Sequence, residues 1–162
     1  MFMLPFMLKD SPASYQSAIL GTSFVDPVTG YEYQICKNTD GAALSPGMAV
    51  TKETASTAFE VDKAGGDERI YGFVVNELTG TTVAVSDAFW VIKRGVAYGY
   101  KHATGAIAAN GPVNATGGEI RGITGTMGHF SAANLAESWN VQSLVAKTTG
   151  VAAGTQVLCV LK

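Results

Sequence analysis

The segment Tyr31-Glu-Tyr-Gln-Ile-Cys36 alternates large apolar side chains with polar ones. Because successive side chains of a β-strand point to opposite faces, this alternation is typical of a strand with one buried face. The preceding segment Asp26-Pro-Val-Thr-Gly30 has turn chemistry, since proline fixes φ and glycine accepts a positive φ. Together the two segments predict a turn that leads into a half-buried strand.

The rest of the chain continues as short apolar runs separated by glycine-rich or Asn-Gly breaks, with 19 glycines in 162 residues. Strands this short and this regularly broken predict an all-β protein, built as a small β-barrel or β-sandwich. The further predicted strands are Ile70–Glu77, Thr82–Val85, Ala88–Arg94, Val96–Tyr100, Ile120–Thr124, Trp139–Lys147 and Gln156–Leu161.

Helix signals are few. Ser11-Pro12 is typical of an N-cap followed by proline at the first helical position, and Gly21 suits the end of that helix. Residues 131–138 are a second candidate. We therefore expect at most two short helices, an N-terminal arm with a short helix over residues 1–21, and a β-domain over residues 22–162.

The chain contains a faint internal repeat. A small-residue turn leads into a strand, a β-run follows after a variable insertion, and an apolar strand closes the unit. The three parts occur at Leu44–Val50, Tyr71–Val75 and Ala88–Ile92, and again at Ile107–Val113, Val141–Val145 and Gln156–Leu161. This order predicts two related β-units around one core. The alternative is that turn–strand–turn order recurs by chance in all-β chains.

Charge excludes several classes of partner. Charged residues make up 15% of the chain, against about 25% in an average protein, and the net charge is −2. Nucleic-acid binding needs a clustered basic face, whereas here only Lys93 and Arg94 are adjacent. We expect no nucleic-acid partner and no membrane-surface patch, and the low charge favours an assembly.

The segment Met1–Leu8 is apolar throughout. It is shorter than the roughly 20 residues that span a bilayer. It also lacks the positive flank and small-residue cleavage site of a secretory signal. We expect no membrane insertion from it.

Candidate catalytic and metal-binding residues are sparse. The chain has two histidines, His102 and His129, whose spacing matches no compact metal-ligand motif. A Ser–His–Asp triad stays open, because its members meet only in space, but no Gly-x-Ser-x-Gly elbow is present. The acidic pair Glu60-x-Asp62 is interpreted as part of a solvated loop. We expect no enzyme activity, no metal and no cofactor.

Cys36 and Cys159 each lie in an apolar alternating run, which predicts two buried, small hydrophobic side chains. A disulfide between them is the alternative.

Tyr98 and Tyr100 alternate onto one face of a predicted strand, and Trp139 begins another. Aromatic side chains suit a core, a subunit contact or a sugar-stacking platform. We predict a subunit interface for Tyr98, Tyr100 and Trp139.

Four short motifs follow one another in a recognisable order: Lys93-Arg-Gly-Val-Ala-Tyr-Gly99, Ile107-Ala-Ala-Asn-Gly-Pro-Val113, Thr116-Gly-Gly-Glu-Ile120 and Ala153-Gly-Thr-Gln-Val-Leu-Cys-Val-Leu161. In this order they resemble the small decoration, or cement, proteins of tailed-phage capsids, over residues 41–162. The segment 122–137 departs from the compact pattern of that family.

The resemblance implies a β-barrel or β-sandwich on the outer surface of a virion, at junctions between major capsid protein subunits. It also implies self-association, commonly as a homotrimer. Phe2, Leu4, Phe6 and Leu8 would then form an extended arm that docks on a neighbouring capsid subunit, although the segment could instead pack on its own domain. The second interpretation is a carbohydrate-binding β-module, with a cleft lined by Tyr98, Tyr100 or Trp139. A hydrolase is the third, and it requires His102 or His129 beside a carboxylate.

Overall fold

The computed structural model describes residues 17–52, 59–65, 70–75, 82–100, 113–122, 141–143 and 156–161. Strands dominate these residues. They are β1 (Ser23–Val25), β2 (Glu32–Asn38), β3 (Ala49–Lys52), β4 (Glu60–Lys63), β5 (Gly72–Val74), β6 (Ala88–Tyr100), β7 (Val113–Thr116), β8 (Glu119–Gly122), β9 (Val141–Ser143) and β10 (Gln156–Leu161).

Five of the strands close into a barrel. β6 pairs with β5, β5 with β3, and β3 with β4, all antiparallel. β4 then pairs with β2 in parallel, and β2 returns to β6 in an antiparallel ladder that joins Ile35 to Trp90. The ring has no free edge within it, which removes the exposed edge of an open sheet. The predicted all-β fold with a small barrel is confirmed.

The strands after the barrel repeat its pairing order. β7 and β8 form a hairpin, as β3 and β4 do, and β9 pairs with β10, as β5 pairs with β6. β10 pairs antiparallel with the second half of β6, as the first half of β6 pairs with β2. In addition, β8 lies beside β6, and β7 lies beside β9. This arrangement agrees with the predicted pair of related β-units, and it makes β6 a member of both.

The sequence predicts two strands where the structure has the single 13-residue strand β6. Gly95, at the predicted break, has φ of 119° and lies opposite Leu161. The pairing with β2 shifts register just before this glycine: Glu32 lies opposite Arg94 and Tyr33 opposite Ile92, so β6 has one additional residue there, Lys93. Glycine therefore lets β6 continue through a backbone conformation that an L-residue disfavours.

The structure confirms one further predicted strand and corrects two other predictions. β10 has the predicted bounds Gln156–Leu161. The strand predicted at Thr82–Val85 is wrong, because only Val83 forms an isolated bridge, with Leu44. The side-chain amide of Asn38 donates to the carbonyls of Val83 and Ala84, at 3.2 and 3.1 Å, in addition to the Leu44 amide that donates to the Val83 carbonyl at 2.9 Å. Glu60 and Asp62 lie in β4 and not in a loop, since β2 and β3 both hydrogen-bond to that strand.

Of the first predicted helix, only the end is described: Ser17 and Ala18 are helical, and a turn follows through Gly21. Ile19 and Leu20 pack against the core of the β-domain. The second predicted helix, residues 131–138, lies outside the described residues. No helix in the described part of the chain is long and apolar enough to cross a bilayer.

Two hydrophobic clusters hold the structure together. The smaller contains only residues of the first unit: Cys36, Leu44, Val50, Val61, Val74, Phe89 and Val91. The larger joins both units: Tyr33, Ile35, Ala49, Ala64, Ile70, Phe73, Ala88, Trp90, Ile92, Val113, Ala115, Ile120, Cys159 and Leu161. Neighbouring residues of β2 and of the first half of β6, Ala88–Ile92, alternate between the clusters, so both faces of these segments are covered. The expectation of a half-buried β2 is therefore wrong.

The buried polar side chain of β2 has hydrogen-bond partners that explain this burial. Gln34 donates from its amide to the carbonyl of Gly21 and to the hydroxyl of Ser23, both at 3.2 Å, and its oxygen accepts from the Tyr71 hydroxyl. Tyr71 in turn contacts Lys93, whose ammonium lies 5.0 Å from the centre of the Tyr71 ring and 3.8 Å from a carboxylate oxygen of Glu32. Burying an amide whose hydrogen bonds are satisfied costs little free energy. A polar residue can therefore occupy a buried position of β2, and the alternating sequence pattern does not reveal that both faces of this strand are buried.

Both cysteines are buried thiols outside any disulfide, and they lie in different clusters. The disulfide alternative is therefore wrong, and the prediction of two buried hydrophobic thiols is confirmed. Burial raises the pKa of Cys36 and of Cys159 to about 12, so both remain neutral thiols at physiological pH.

We expect both thiols of the native protein to resist a disulfide reagent at pH 8 and to react once the chain is unfolded in guanidinium chloride. Thiolate is the reacting species, and it is scarce in both sites. The control is Val85→Cys, which places a thiol at a position that is 47% exposed and should react at once. Rapid reaction of the native wild-type protein would contradict this account of the core.

We expect Gly95→Ala to lower the free energy of unfolding by at least about 1–3 kcal/mol, the usual cost of a residue held in a disfavoured backbone conformation. An added Cβ would also lie 2.5 Å from the ring of Tyr31. Denaturant titration measures the change. Gly41→Ala is the matched control, because nothing lies within 4 Å of its Cβ, and it should change stability by less than about 0.5 kcal/mol. Equal effects of the two substitutions would contradict the role of Gly95.

Candidate functional site

We first consider the candidate metal-binding and acidic residues. The described residues contain no group of three or more histidine, cysteine, aspartate or glutamate side chains that could hold a metal ion. The acids of β4 are engaged: Glu60 lies 3.6 Å from the ammonium of Lys37, and Asp62 accepts from the Thr39 hydroxyl at 2.6 Å. His102 and His129 lie outside the described residues, so the hydrolase interpretation stays a prediction.

The described residues form an apolar groove of about 710 Å³ beside the closed barrel. Its lining includes the turn that joins β1 to β2, and the loop at Pro46 and Gly47 together with the end of β5. The second half of β6 completes it with Val96, Tyr98 and Tyr100. Because these elements are far apart in sequence, the groove exists only after the barrel has closed.

The β1–β2 turn is braced by its own hydrogen bonds. Asp26 accepts from the Val28 amide at 2.9 Å and from the Thr29 hydroxyl at 2.6 Å. Its carbonyl accepts from the Gly30 amide at 2.8 Å, and its amide donates to the Tyr31 carbonyl at 2.9 Å. These bonds hold the tip, Pro27-Val28, in one projecting conformation. We call residues 26–30 the prong.

The bonds to Asp26 also control its ionisation. The Thr29 hydroxyl, and after it the Val28 amide, hold the pKa of this carboxyl below its ordinary value of 3.8. A lowered pKa means that the carboxylate stabilises the folded turn above pH 4, and that this stabilisation is lost as the pH falls through the folded pKa. At neutral pH the prong is therefore in its braced form.

The loop at Pro46 and Gly47 packs closely against Tyr98 and Tyr100. Gly47 has φ of 83°, and a Cβ there would lie 2.8 Å from the Tyr100 ring and 3.2 Å from the Tyr98 carbonyl. The Gly47 amide donates to the Val74 carbonyl at 2.9 Å, which ties this loop to β5. The loop is therefore held between β6 and β5.

The base of the prong is aromatic. Phe24 of β1 and Tyr33 of β2 stack with their ring centres 6.4 Å apart and an angle of 30° between the rings. Burial, followed by the nearby charges of Asp26 and Tyr31, raises the pKa of Tyr33 above its usual range. The Tyr33 hydroxyl therefore stays protonated at any physiological pH.

Exposed hydrophobic side chains concentrate at this place. Val28 is 90% exposed, and Val25 and Tyr98 are each 57% exposed. Val28 and Tyr98 line the groove, and Val25 flanks the prong at the end of β1. A concentration of exposed apolar surface marks a site of interaction with a partner.

Of the predicted interface residues, Tyr98 and Tyr100 come together in the groove, whereas Trp139 lies outside the described residues. The predicted arm residues Phe2, Leu4, Phe6 and Leu8 also lie outside them. Sequence reasoning missed Val28 and Tyr31. The signal for Val28 was an apolar residue in an otherwise polar turn, and the signal for Tyr31 was its place directly after that turn.

No protein-family model matches the sequence, and no curated protein matches it significantly. The interpretation of the site therefore depends on its own residues and geometry.

We expect Thr29→Val to return the pKa of Asp26 towards its ordinary value, because the substitution removes the strongest hydrogen bond to the carboxylate. The carboxyl carbon resonance of Asp26, followed by NMR from pH 2 to 6, measures the change. Thr82→Val, at an exposed position outside the prong, should leave the titration unchanged. An Asp26 titration that is the same in Thr29→Val and in wild type would contradict the bracing of the turn.

Proposed function

We propose that this protein is a structural component that decorates a phage capsid and stabilises it by binding at junctions between major capsid protein subunits. It acts from the outer surface of the virion, without enzymatic activity. The observation that carries the proposal is the apolar groove with its prong, a site suited to contact with protein.

The positions of the family-like motifs support it. The motif Lys93–Gly99 lies on β6, and the closing motif ends in β10, which pairs with that part of β6. The motif Thr116–Ile120 spans the tight connection between β7 and β8. The described parts of these three motifs thus belong to neighbouring strands of one unit, whereas the motif Ile107–Val113 lies outside the described residues except for Val113.

The chemistry of the groove favours protein over other ligands. Among its described lining residues only Asp26 is charged, and both of its carboxylate oxygens already accept hydrogen bonds within the prong. A sugar site needs several polar side chains that converge on the ligand's hydroxyl groups, whereas the other polar side chains of this lining are the hydroxyls of Thr29 and four tyrosines. An apolar surface with an exposed aromatic side chain, here Tyr98, instead suits the core of a protein interface.

The N-terminal segment provides the proposed contact with the capsid. Burial of the side chains of Phe2, Leu4, Phe6 and Leu8 would contribute about 6–12 kcal/mol. Ordering the backbone of this segment costs about 8–16 kcal/mol. One arm is therefore near balance alone, whereas several arms on one oligomer would bind firmly through their high effective concentration.

Co-sedimentation with phage heads that lack the protein tests this proposal. We expect saturable binding of the full chain and at least tenfold weaker binding after deletion of residues 1–9. The substitution Lys9→Ala is a control that leaves the apolar segment intact and should bind as wild type. Absence of binding to heads would overturn the capsid proposal, and unchanged binding after the deletion would overturn the arm.

A carbohydrate-binding module is the second candidate, favoured by one observation: Tyr98 and Tyr100 do line a common groove. Stacking of a sugar ring on exposed Tyr98 would use this face. Binding to a glycan array that Tyr98→Ala abolishes, together with no binding to heads, would support this candidate in place of the first.

A further inference from the structure

The groove combines an apolar lining with one charge among its described residues, the carboxylate of Asp26. The hydrogen bonds described for this carboxylate come from neutral donors, the Val28 amide and the Thr29 hydroxyl. The same bonds, that of Thr29 first, lower its pKa, so the carboxylate is ionised at neutral pH. An occupant that complements the groove is therefore apolar and has a positive charge at one end.

The N-terminal segment of the same chain has this composition. Met1–Leu8 is apolar throughout, and Lys9 follows it directly. After the hydrogen bonds from Thr29 and Val28, the positive charge of the amino terminus also lowers the pKa of Asp26. A positive charge thus flanks the apolar segment at each end, and one of the two already acts on the carboxylate of the groove.

We propose that, in the free protein, the segment Met1–Leu8 lies extended in the groove of its own chain, with a positively charged end of the segment at Asp26. The inference deepens the proposed function, and it rests on that function only for its purpose. The segment that would contact the capsid is held on its own domain until a shell is present. One intramolecular contact then covers two apolar surfaces, the segment and the groove.

The chain enters the β-domain at the rim of this groove. Ile19 and Leu20, which precede β1, pack against the larger hydrophobic cluster. Four residues that line the groove pack against the same cluster: Phe24, Tyr31, Val75 and Ala97. The segment before Ser17 therefore starts from the side of the domain that carries the groove.

The segment is long enough to reach the prong. Ser17 and Asp26 are nine residues apart, so at most about 30–32 Å separates them. Residues 9–16 span about 12 Å even when they are helical, and Met1–Leu8 adds about 26–29 Å when it is extended. The two lengths together exceed the distance to be covered, so the contact needs no rearrangement of the β-domain.

The lining suits an extended apolar segment. Its volume of about 710 Å³ lies in the range of sites that bury most of a bound ligand. Val96, Tyr98 and Tyr100 lie on one face of β6, because side chains alternate along a strand. Alternation in the segment likewise places four side chains on one face: Phe2, Leu4, Phe6 and Leu8. Each partner therefore presents an apolar face to the other.

The backbone of the segment also finds suitable groups. The hydroxyls of Tyr31 and Tyr98 are donors in the lining, and the carbonyls of an extended segment are acceptors. Pro5 has no N–H that would need an acceptor, and its ring fixes φ in advance. Proline therefore lowers the conformational entropy that the segment loses when it docks.

The contact can be released when a shell is present. Burial of the four side chains and ordering of the backbone nearly cancel for this segment. The tether gives it an effective concentration of about millimolar order, which keeps the groove occupied in the free protein. A shell that offers binding sites to several arms at once competes effectively with one such contact.

Paramagnetic broadening in the full chain without phage heads tests the inference. A spin label on Met3→Cys, in isotope-labelled protein, lies on the face of the segment opposite Phe2 and Leu4. The buried thiols of Cys36 and Cys159 do not take the label. We expect the resonances of Val28 and Tyr98 to lose at least half of their intensity. The control is Val85, an exposed valine that does not line the groove and should keep its intensity.

Two matched substitutions separate docking from proximity. In the labelled chain, Phe6→Asp should abolish the broadening, because it places a second carboxylate on the face that enters an apolar site beside Asp26. Met7→Asp introduces the same charge on the opposite face and should leave the broadening unchanged. Both positions lie outside the β-domain, so both variants should unfold at the temperature of the wild type.

Peptide binding gives an independent measurement. A synthetic peptide of residues 1–9 should bind the full chain with Phe6→Asp at least tenfold more tightly than it binds the wild type, whose groove is already occupied. Adding Tyr98→Asp to that chain should weaken the binding at least tenfold. Adding Val85→Asp, at the exposed valine outside the groove, should leave it unchanged.

Absence of broadening at Val28 and Tyr98 would overturn the inference, as would broadening that persists in Phe6→Asp. Broadening that disappears on dilution with excess unlabelled wild type would also overturn it, because the segment would then occupy the groove of another copy. None of these measurements involves phage heads, so the capsid proposal can fail while the inference stands, and the inference can fail while the capsid proposal stands.

Discussion

Strand β6 has to provide hydrogen bonds to three neighbours, and the arrangement of both β-units follows from this requirement. Its first half pairs with β2 and β5 and so closes the barrel, and its second half pairs with β10. Side chains alternate with a period of two, so a slip by one residue in this strand would exchange the faces of both units at once. The register of β6 is therefore held by two sets of pairings, and Gly95 supplies the positive φ at the point where one set follows the other.

The same strand limits where charged residues can lie in the described part of the chain. β2 and the first half of β6 are covered on both faces, with Cys36, Phe89 and Val91 in one cluster and Ile35 and Trp90 in the other. A strand segment that is buried on both faces leaves few positions for charged residues. The exposed valines and Tyr98 then add an apolar surface outside the core. Two-sided burial and exposed apolar side chains are both consistent with the low charge of the chain.

Sequence periodicity predicts the elements whose own side chains determine their structure. β10 is continuous and apolar, and its bounds were predicted correctly. β4 was missed because Val61 is its only apolar residue, and it becomes a strand through its pairing with β2 and β3. β2 was recognised, but its second buried face was not, since Gln34 looks polar in sequence and is satisfied only by residues of the folded barrel.

Only part of the groove could be predicted from sequence, because local periodicity places side chains on a face but does not show which distant segments meet. Alternation alone places Tyr98 and Tyr100 on one face, whereas their approach to Val28 and Gly47 depends on closure of the barrel. That closure joins residues that are distant in sequence, and local pattern carries no information about it. The short turn signal at Asp26–Gly30 predicts a turn, but not the groove beside it.

Two ionisable residues of the groove, Asp26 and Tyr33, have pKa values that lie away from neutral pH. A general acid or base works best with a pKa near the working pH. Here the hydrogen bonds of the prong lower the pKa of Asp26, and burial raises that of Tyr33. Both groups therefore keep a single protonation state at neutral pH. The hydrogen bonds and the burial that cause these shifts keep a charged carboxylate inside the turn and a neutral phenol at its base. The turn therefore keeps one shape at neutral pH, and a fixed apolar shape suits contact with a protein partner.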